Sequence, residues 1–477
     1  MKIIHLSAEC YPAAKVGGLA DVAGALPKYL AKEGADASVM MPKYGTEWIK
    51  DHCFETVFKS TALLGDNEFE FRVQRESENT LGFPLYVIDI PGRFDRPGIY
   101  SDQDGIFFSD DFERFVSFQI AALNWLNSTA KKPDIIHCHD HHTGLTPFML
   151  TQSFRYGDIK HIPTVFTVHN AEYQGIFDLN KSDLLPEFNE ENVGLLDWDQ
   201  KLNCLAAGLK SCWKITAVSP SYMEELSHKS RGLEWLFQNE QQKSHGILNG
   251  IDEKVWNPAT DGFIAHNYSS DDIKKGKAKN KKVLCEQFGL NPEYPLISYI
   301  GRLAREKGAD LLPDLFQALL ESPQKVSFIV LGTGERELHQ RFKAMSNFYV
   351  GFFDAALDYN EPLAHQIYAG SDFLIMPSRV EPCGLNQMYA MRYGSVPIVR
   401  NTGGLKDTVK DISQGEGSGV KFNDFTLESA NHALYRALEL FQDEDQMSEI
   451  RKRIMNLNFS WNASAKEYIR LYNELTG

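Results

Sequence analysis

The stretch LISYIGRLAREKG, residues 296–308, decides the fold of the second half of the chain. Its first five residues are a short, largely apolar run, which is typical of a parallel strand covered on both faces. A glycine and several cations follow directly, among them Arg302 and Lys307. Ligands of open α/β sheets bind beyond the carboxyl ends of the strands. The stretch therefore predicts a strand whose end can meet a diphosphate, which guanidinium and ammonium groups bind. The alternative is that these cations form surface pairs with Glu306 or Asp310, and the other loops must decide between the two.

Similar runs recur on both sides of this stretch, each followed by a helical pattern or a glycine-bearing loop. They lie at residues 3–6, 85–90, 135–138, 165–168 and 215–218 in the first half, and at 326–331, 373–376 and 396–399 in the second. Two series of βα units in tandem predict an α/β protein with two doubly wound, Rossmann-like domains. We place the boundary near residues 243–249, so that the N-terminal domain covers residues 1–243.

The composition agrees with two globular domains and restricts the partners. The chain has 477 residues, more than a single core supports, and a formal charge of −15. An acidic chain does not collect on nucleic acids or anionic membranes, so we expect neither as a partner. An anionic ligand must therefore meet cations that are placed locally.

The N-terminal residues and the cysteines indicate a cytoplasmic protein. The first nine residues, MKIIHLSAE, contain too short an apolar stretch for a signal peptide, and no apolar run is long enough to span a bilayer. The seven cysteines include no C-x-x-C pair, which is typical of free thiols in a reducing compartment. The sequence makes no prediction of an oligomeric state.

Residues 274–282 hold six lysines in nine positions. Such a run can form a basic patch for an anionic partner. Isolated charge runs more often serve solubility, so we expect a solvated face of the helix that continues to Phe288.

Three further loops have residues that suit a phosphorylated sugar. They read KVGGL at residues 15–19, SRVEPCGL at 378–385 and NTGGL at 401–405. Paired glycines let the backbone approach a ligand closely, and the amide groups at the start of a helix favour an anion. Lys15 adds a charge to the first loop, and Glu381 offers a carboxylate that accepts hydrogen bonds from sugar hydroxyls. Each loop alone is a weak signal, because glycine pairs also form simple turns.

The stretch HCHDHH at residues 137–142 is a candidate zinc site, because it places four histidines and an aspartate in six positions. Strand alternation puts His137, His139 and His141 on one face and the other residues on the opposite face. Neither H-E-x-x-H nor a cysteine pair supports a metal. We therefore expect no metal site, and a metallohydrolase that chelators inhibit is kept as an alternative.

Taken in order, these motifs resemble those of bacterial glycogen synthases and plant starch synthases. The resemblance rests on KVGGL at 15–19, HD at 139–140, GR at 301–302, KG at 307–308, PSRVEPCGL at 377–385, TGGL at 402–405 and FSW at 459–461. It extends over the whole chain and implies the GT-B architecture, in which two Rossmann-like domains face a central cleft. The second domain then covers residues 244–456, and a C-terminal helix within residues 457–477 crosses back to the first domain.

The resemblance also implies an activity. It predicts a retaining hexosyltransferase that transfers glucose from ADP-glucose to the non-reducing end of an α-1,4-glucan, such as glycogen or a maltooligosaccharide. The nucleotide sugar is a substrate, and neither a cofactor nor a metal is required. A related GT-B enzyme that uses UDP-glucose or another acceptor is the alternative within this class. A non-catalytic glucan-binding protein is an alternative outside it, although such a protein has no need of loops that bind a diphosphate.

By matching position, the resemblance assigns the site residues. Those with catalytic roles are Arg302, Lys307, Glu381, His139 and Asp110. Those that bind the nucleotide sugar are Lys15, Gly17, Gly18, Asp21, Asn249, Cys383, Gly384, Leu385, Thr402, Gly403 and Phe352. In this assignment Phe352 stacks on the adenine.

Three positions depart from the family pattern, and one of them is Phe94, which stands where a tyrosine is frequent. His141 stands where a tryptophan is usual, and Glu306 stands where a glutamine is usual. Glu306 puts a negative charge beside the cations that are expected to bind the diphosphate.

Overall fold

The computed structural model describes residues 1–96, 98–102 and 106–477. The chain divides into two compact units, one formed by Met1–Leu248 with Trp461–Gly477 and the other by Asn249–Ser460. The boundaries expected from the sequence, after residues 243 and 456, lie a few residues before these. Each unit contains a sheet of mostly parallel strands, so the predicted fold class is confirmed.

The first unit is built on a nine-stranded sheet. The strands of this unit are β1 (Lys2–Leu6), β2 (Asp36–Pro42), β3 (Phe54–Leu64), β4 (Asn67–Glu76), β5 (Leu85–Asp89), β6 (Ile135–His139), β7 (Thr164–Val168), β8 (Ile176–Asp178), β9 (Asp197–Trp198), β10 (Lys201–Asn203), β11 (Lys214–Ala217) and β12 (Ser244–Gly246). The large sheet has the order β12-β11-β7-β6-β1-β2-β5-β4-β3, and β8, β10 and β9 form a small sheet of their own. Only β4, which is antiparallel to β3 and to β5, breaks the parallel pattern of the large sheet among the described residues.

The α-helices within Met1–Leu248 each bury apolar residues in the core of this unit. They are α1 (Gly18–Lys32), α2 (Glu47–Asp51), α3 (Asp111–Ser128), α4 (Leu145–Gln152), α5 (Cys204–Ser211), α6 (Pro220–Leu226) and α7 (Glu234–Asn239). Helix α1 begins at Gly18, the second glycine of the KVGGL loop, and its residues Val22, Leu26 and Leu30 are buried in the core with Ile3 of β1. This packing fixes where the loop ends and where the first amide groups of the helix lie.

The second unit has a six-stranded parallel sheet. Its strands are β13 (Leu296–Ile300), β14 (Ser327–Leu331), β15 (Phe353–Ala356), β16 (Phe373–Met376), β17 (Val396–Arg400) and β18 (Val420–Phe422). Its helices are α8 (Ile273–Phe288), α9 (Leu312–Leu320), α10 (Arg336–Phe348), α11 (Glu361–Gly370), α12 (Asn386–Arg392), α13 (Gly403–Thr408), α14 (Leu427–Gln442) and α15 (Glu444–Met455). The strand order β15-β14-β13-β16-β17-β18 reverses direction between β13 and β16.

The last helix, α16 (Trp461–Thr476), belongs to the first unit. Its buried residues Trp461, Tyr468 and Tyr472 join the core that contains Ile3. Tyr472 also hydrogen-bonds through its hydroxyl to Nδ1 of His137, at 2.7 Å. Burying a large apolar side chain contributes roughly 1.5–3 kcal/mol, so these contacts are enough to hold the helix in place.

The lysine-rich stretch is only partly the solvated face that the sequence predicted. Four of its lysines are exposed on α8, but Lys277 and Lys281 are buried. The ammonium group of Lys277 donates to three backbone carbonyl groups and to the hydroxyl of Ser395. Lys281 forms an ion pair with the buried Asp372. Residues 277 and 281 are four positions apart, so they lie on the same face of the helix, the one that packs inward. The number of lysines in the stretch does not show which of them lie on that face.

Within the described residues, every helix is too short or too polar to cross a membrane.

Candidate active site

The loops after β13 and β16 flank the point where the strand order of the second unit reverses, the usual ligand position in open α/β sheets. Lys307 of the first loop and Glu381 of the second form an ion pair, with 2.7 Å between Nζ and Oε1. The other carboxylate oxygen of Glu381 accepts a hydrogen bond from Ser378 Oγ at 2.8 Å. Glu381 is buried, whereas Lys307 is partly exposed. A cation that suits a phosphate and a carboxylate that suits a sugar are thus brought together.

Two glycines in the left-handed backbone region allow these loops to lie so close. Gly308 has φ 68°, and a Cβ atom there would lie 2.2 Å from the carbonyl oxygen of Pro377. Gly403 has φ 44°, and a Cβ atom there would lie 2.1 Å from the carbonyl oxygen of Glu381. The amide of Gly404 donates to that same carbonyl oxygen at 3.0 Å. The loop at residues 401–405 is therefore held directly against the backbone of Glu381.

Arg302 and Arg379, two of the arginines of these loops, have different partners. Arg302 is exposed, and its guanidinium group pairs with Glu306, the residue that departs from the family pattern. Arg379 forms a bidentate pair with Asp310, at 2.5 and 2.7 Å. Its backbone amide also donates to the carbonyl oxygen of Glu306, at 2.8 Å. Arg379 therefore joins the two loops, while Arg302 is the arginine on the solvent side.

The remaining residues assigned to the second unit, apart from Phe352, lie in or against the same loops. Cys383 is buried, and its thiol is hydrogen-bonded to the backbone of Asn249. Burial raises the pKa of this thiol to about 12, so it stays protonated and is a poor nucleophile. Gly384 has φ 72°, and Leu385 directly precedes α12. Thr402 precedes α13 in the same way.

Phe352 does not lie with this group, so its assignment to the adenine is wrong. It directly precedes β15, and its ring stacks on that of Tyr294, which precedes β13, with 5.8 Å between the centroids. Because β13, β14 and β15 are parallel, both rings lie at the amino ends of the strands. The loops at residues 301–308, 377–385 and 401–405 follow the carboxyl ends, at the opposite edge of the sheet.

Tyr359 is the aromatic residue that follows the carboxyl end of β15. Its side chain is 70% exposed, and its hydroxyl donates to Glu361 at 3.1 Å. It directly precedes Asn360, whose side chain caps α11 by accepting from the amide of Leu363. The sequence signal was available, since Tyr359-Asn360 stands between a strand and a helix start, but the sequence analysis did not use it.

In the first unit, the KVGGL loop is fixed by a buried carboxylate that the sequence analysis did not single out. Glu9 accepts hydrogen bonds from the amides of Val16 and Gly17, at 2.5 and 2.9 Å, and from the hydroxyl of Tyr100, at 2.6 Å. Burial raises the pKa of Glu9, and these hydrogen bonds oppose that rise. A Cβ atom added at Gly17 or at Gly18 would meet nothing within 4 Å. The loop therefore has a fixed shape and open space beside its glycines.

The assigned acidic residues of the first unit are each paired with a cation. Asp21 lies 2.7 Å from the ammonium group of Lys15, at the start of α1. Asp110 accepts two hydrogen bonds from Arg96, at 2.8 and 2.5 Å, and these hydrogen bonds lower its pKa. Both aspartates are partly exposed. The ammonium group of Lys15 is therefore paired with Asp21, a residue of its own unit.

His139 is part of a buried row of imidazole rings. Its Nε2 lies 3.0 Å from Nδ1 of His5, and its Nδ1 lies 2.9 Å from Nε2 of His169. Burial lowers the pKa of His139 well below its ordinary value and that of His5 and His169 to about 3. All three rings are therefore neutral near pH 7. Both ring nitrogens of His139 are engaged within the protein.

The histidines that lie close enough together to bind one metal ion differ from those that the sequence suggested. His5, His137 and His139 place ligand atoms within 4.8 Å of one another. His141 does not join them, because it lies in the short 3-10 helix after β6. The three rings are completely buried. His137 is hydrogen-bonded to Thr167 and Tyr472, and His139 to His169, whereas Nε2 of His5 has no hydrogen-bond partner among the described residues. A hydrolytic metal needs an open coordination position for water, and none of the three rings is exposed to solvent.

Comparisons with known proteins agree with this geometry. Residues 2–239 match the family of starch synthase catalytic domains, and residues 280–453 match the glycosyl transferases of group 1. A glycogen synthase of Flavobacterium johnsoniae is 48% identical over 474 residues, which cover 99% of each chain. A glycogen synthase of Bacillus anthracis is 37% identical over 486 residues, which cover all of both chains. The chain belongs to the family of glycogen and starch synthases.

Solved structures of this family and of its fold match as well. The catalytic domain of starch synthase IV from Arabidopsis thaliana, bound to ADP and acarbose, has a TM-score of 0.89 and 32% identity, with 99% of each chain covered. Sucrose-phosphate synthase from Thermosynechococcus elongatus, with a TM-score of 0.62 and 18% identity, shares the fold alone. As a member of the glycogen and starch synthase family, the chain is a hexosyltransferase of the two-domain GT-B type. The predicted family, fold and enzyme class are confirmed.

Proposed function

We propose that this chain transfers glucose from ADP-glucose to the non-reducing end of an α-1,4-glucan, with retention of the anomeric configuration and without a metal. The observation that carries the proposal is the pair of Lys307 and Glu381 at the switch point of the second sheet. A diphosphate and a hexose joined by one bond need a cation and a hydrogen-bond acceptor next to each other, and this pair supplies both.

The charges suit the departure of a nucleoside diphosphate. As the bond to the sugar breaks, negative charge grows on the phosphate oxygen and positive charge grows on the sugar ring. Lys307 and Arg302 stabilise the negative charge, because cations fixed in advance need no reorganisation during the reaction. Glu381 lies beside Lys307 and orients the sugar through its hydroxyl groups.

A front-face mechanism fits the surroundings of Glu381. A double displacement needs a carboxylate that is free to attack the anomeric carbon. Both oxygens of Glu381 are already engaged, one by Lys307 and one by Ser378. We therefore assign the retained configuration to attack of the acceptor hydroxyl on the face from which the diphosphate leaves. The bond from the sugar to the diphosphate breaks as the new glycosidic bond forms, and the proton of the hydroxyl passes to the departing phosphate oxygen.

Two further assignments follow from the carboxyl edge of the second sheet. Tyr359 replaces Phe352 as the proposed partner of the adenine, because it is exposed at the correct end of the strands. The amides at Thr402 and Gly403 start α13 and are proposed to bind the diphosphate. The use of ADP rather than UDP is supported by the Arabidopsis domain, whose structure contains ADP.

In the first unit, the open space at Gly17 and Gly18 supports binding of an anion at the KVGGL loop. Lys15 supplies the cation there, and Glu9 keeps the loop in shape by holding the amides of Val16 and Gly17. The roles of Asp21, Asp110 and His139 beside the sugar stay predictions.

The proposed location is the cytoplasm. All seven cysteines are free, and six of them are buried, which agrees with a reducing compartment.

The test is to mix the protein with glycogen and either ADP-glucose or UDP-glucose, with and without EDTA, and to measure the release of nucleotide. We expect release of ADP from ADP-glucose, a much slower reaction with UDP-glucose, and no effect of EDTA. Equal rates with both donors would support the broader alternative of a GT-B enzyme without a preference for adenine. Loss of activity in EDTA would contradict the metal-independent mechanism.

A further inference from the structure

Trp198 and Trp235 form an aromatic pair at the surface of the first unit, outside the loops described above. Their ring centroids are 6.1 Å apart, and the ring planes differ by 32°. Trp235, on α7, is 66% exposed, and Trp198, in β9, is partly exposed. A contiguous pair of exposed aromatic rings is more informative than a single exposed apolar residue, because contiguous apolar patches mark candidate binding surfaces.

The ring of Trp198 is fixed in advance. Its Nε1–H donates to the carbonyl oxygen of Gly232 at 3.0 Å, and Lys210 Nζ lies 5.1 Å from the ring centre. Lys210 is itself held by the carbonyl oxygens of Gly194 and Asp197, at 3.0 and 2.7 Å. A side chain that is already ordered loses little conformational entropy when it binds a ligand. The pair therefore has the rigidity of a recognition surface rather than of a loose surface residue.

The surroundings of the pair are polar. Asp199 and Gln200 form the exposed turn that follows Trp198, and Gln238 and Asn239 are exposed on the helix of Trp235. Two indoles bury at most about 250 Å² each. A stable protein interface needs about 800 Å² from each partner. A small flat apolar surface with hydrogen-bonding groups around it suits a sugar better than a protein.

We infer that Trp198 and Trp235 are a second binding site for an α-1,4-glucan, separate from the reacting chain end. The inference rests on the proposed function, which makes a glucan the substrate. Glucose has apolar C–H faces that stack on an indole and hydroxyl groups at its edge that hydrogen-bond to a polar rim. A sugar between the two rings would need about 7–8 Å, twice a van der Waals contact, so the glucose units stack on the outer face of the pair.

The consequence of such a site depends on the size of the acceptor. A glycogen particle carries many chains, so a second contact holds the enzyme near further chain ends and raises their effective concentration. Maltotriose has only three glucose units, so we expect that a molecule bound at the active site leaves none for the pair. The pair should therefore strengthen binding to glycogen while it leaves the chemistry at the active site unchanged.

The test compares Trp235→Ala with Trp213→Ala, a matched control that removes another half-exposed tryptophan of the same unit. Affinity for glycogen is measured by electrophoresis in gels that contain glycogen, and kcat/KM is measured with maltotriose and ADP-glucose. We expect Trp235→Ala to weaken binding to glycogen about tenfold, with kcat/KM for maltotriose and the melting temperature unchanged. Trp213→Ala should behave like the parent. Trp198→Phe, which keeps an aromatic ring without the N–H donor, should weaken binding to a smaller extent.

Several results would overturn the inference. The first is that Trp235→Ala binds glycogen as tightly as the parent. The second is that Trp213→Ala loses as much affinity for glycogen as Trp235→Ala. The third is that the parent sediments as a dimer and Trp235→Ala as a monomer. The last result would identify the surface as a contact between copies of the chain. Binding of glycogen that depends on Trp235, in a parent that releases no ADP from ADP-glucose, would support the inference and contradict the proposed function.

Discussion

Lys307 Nζ lies 2.7 Å from Glu381 Oε1, so a cation expected at the diphosphate and a carboxylate expected at the glucose are bound to each other. Glu381 is buried, and Lys307 keeps its charge from being buried alone. Removing one partner of a buried ion pair leaves the other uncompensated, at a cost of about 3–5 kcal/mol for full burial. Lys307 is partly exposed, so its loss should cost less than this.

Glu381→Gln tests the role of the carboxylate. The amide has nearly the same shape, but it is a weaker acceptor than a charged oxygen. We expect the variant to bind ADP about as well as the parent and to transfer glucose about a hundredfold more slowly. The measurements are affinity for ADP, turnover and melting temperature on the same preparation.

The control for this variant is Ser378→Ala, which removes one hydrogen bond to Glu381 and keeps its charge. Its turnover should stay within about tenfold of the parent. Normal turnover with a lower melting temperature in Glu381→Gln would show that the carboxylate only stabilises the loops. A cap on α12 is not its role, since that helix has no side-chain cap.

Glu306→Gln should strengthen binding of the donor. Glu306 pairs with Arg302 and so competes with the diphosphate for the guanidinium group. Such partly exposed pairs contribute about 0.2–1 kcal/mol, so KM for ADP-glucose should fall by a factor of about 1.4 to 5. Arg302→Ala should instead raise KM for ADP-glucose. It should also lower turnover about a hundredfold. A higher KM in Glu306→Gln would mean that the pair serves to orient Arg302.

Tyr359→Ala and Phe352→Ala form a matched pair at opposite ends of β15. If Tyr359 stacks on the adenine, its removal should raise KM for ADP-glucose about tenfold, since stacking of a base on an aromatic ring contributes about 1–3 kcal/mol. Phe352→Ala should leave KM unchanged, because its ring contacts Tyr294 at the amino edge of the sheet. Initial rates at varied ADP-glucose measure both effects. A raised KM in Phe352→Ala alone would restore the original assignment.

The sequence predicted most of the buried parallel strands, because continuous apolar runs such as residues 373–376 are typical of them. It missed β2, although that strand is buried and parallel to both β1 and β5, and it missed the three-residue β18. It missed β3 and β4, because polar and charged residues interrupt their apolar residues, so that neither strand is a continuous apolar run. Of the two, β3 is the edge strand of the sheet. It also missed β15, which has only four residues. That omission led to the wrong assignment of Phe352, since the side of the sheet on which an aromatic lies depends on where the strand begins.

The loops of the second unit could be predicted, because their chemistry is carried by residues that are close together in the sequence. The partners that the residues of these loops contact in the folded chain could not be predicted. Nothing in the sequence places Lys307 against Glu381 or Glu9 against the amides of Val16 and Gly17, because each contact joins segments that only the fold brings together. Buried carboxylates such as Glu9 also lack a sequence signature, since a glutamate is usually expected at the surface.

The histidine row of the first unit predicts a loss of stability in acid. Burial lowers the pKa of His5 and of His169 to about 3, so the folded chain leaves these rings neutral where the unfolded chain, with an ordinary pKa near 6.5, protonates them. Between about pH 6.5 and pH 3 the unfolded state therefore binds more protons, and the free energy of unfolding falls as the pH falls. Each such histidine lowers that free energy by about 1.4 kcal/mol for every pH unit below 6.5.

Urea unfolding at pH 5, 6 and 7.5 measures how steeply the free energy of unfolding depends on pH, and this slope should decrease by about one proton in His5→Gln. His228→Gln, a change at an exposed position of the same unit, should leave the slope as it is. An equal slope in the parent and in His5→Gln would mean that His5 is charged in the folded protein, and its hydrogen bond to His139 would then be a donated one, with the proton on Nδ1.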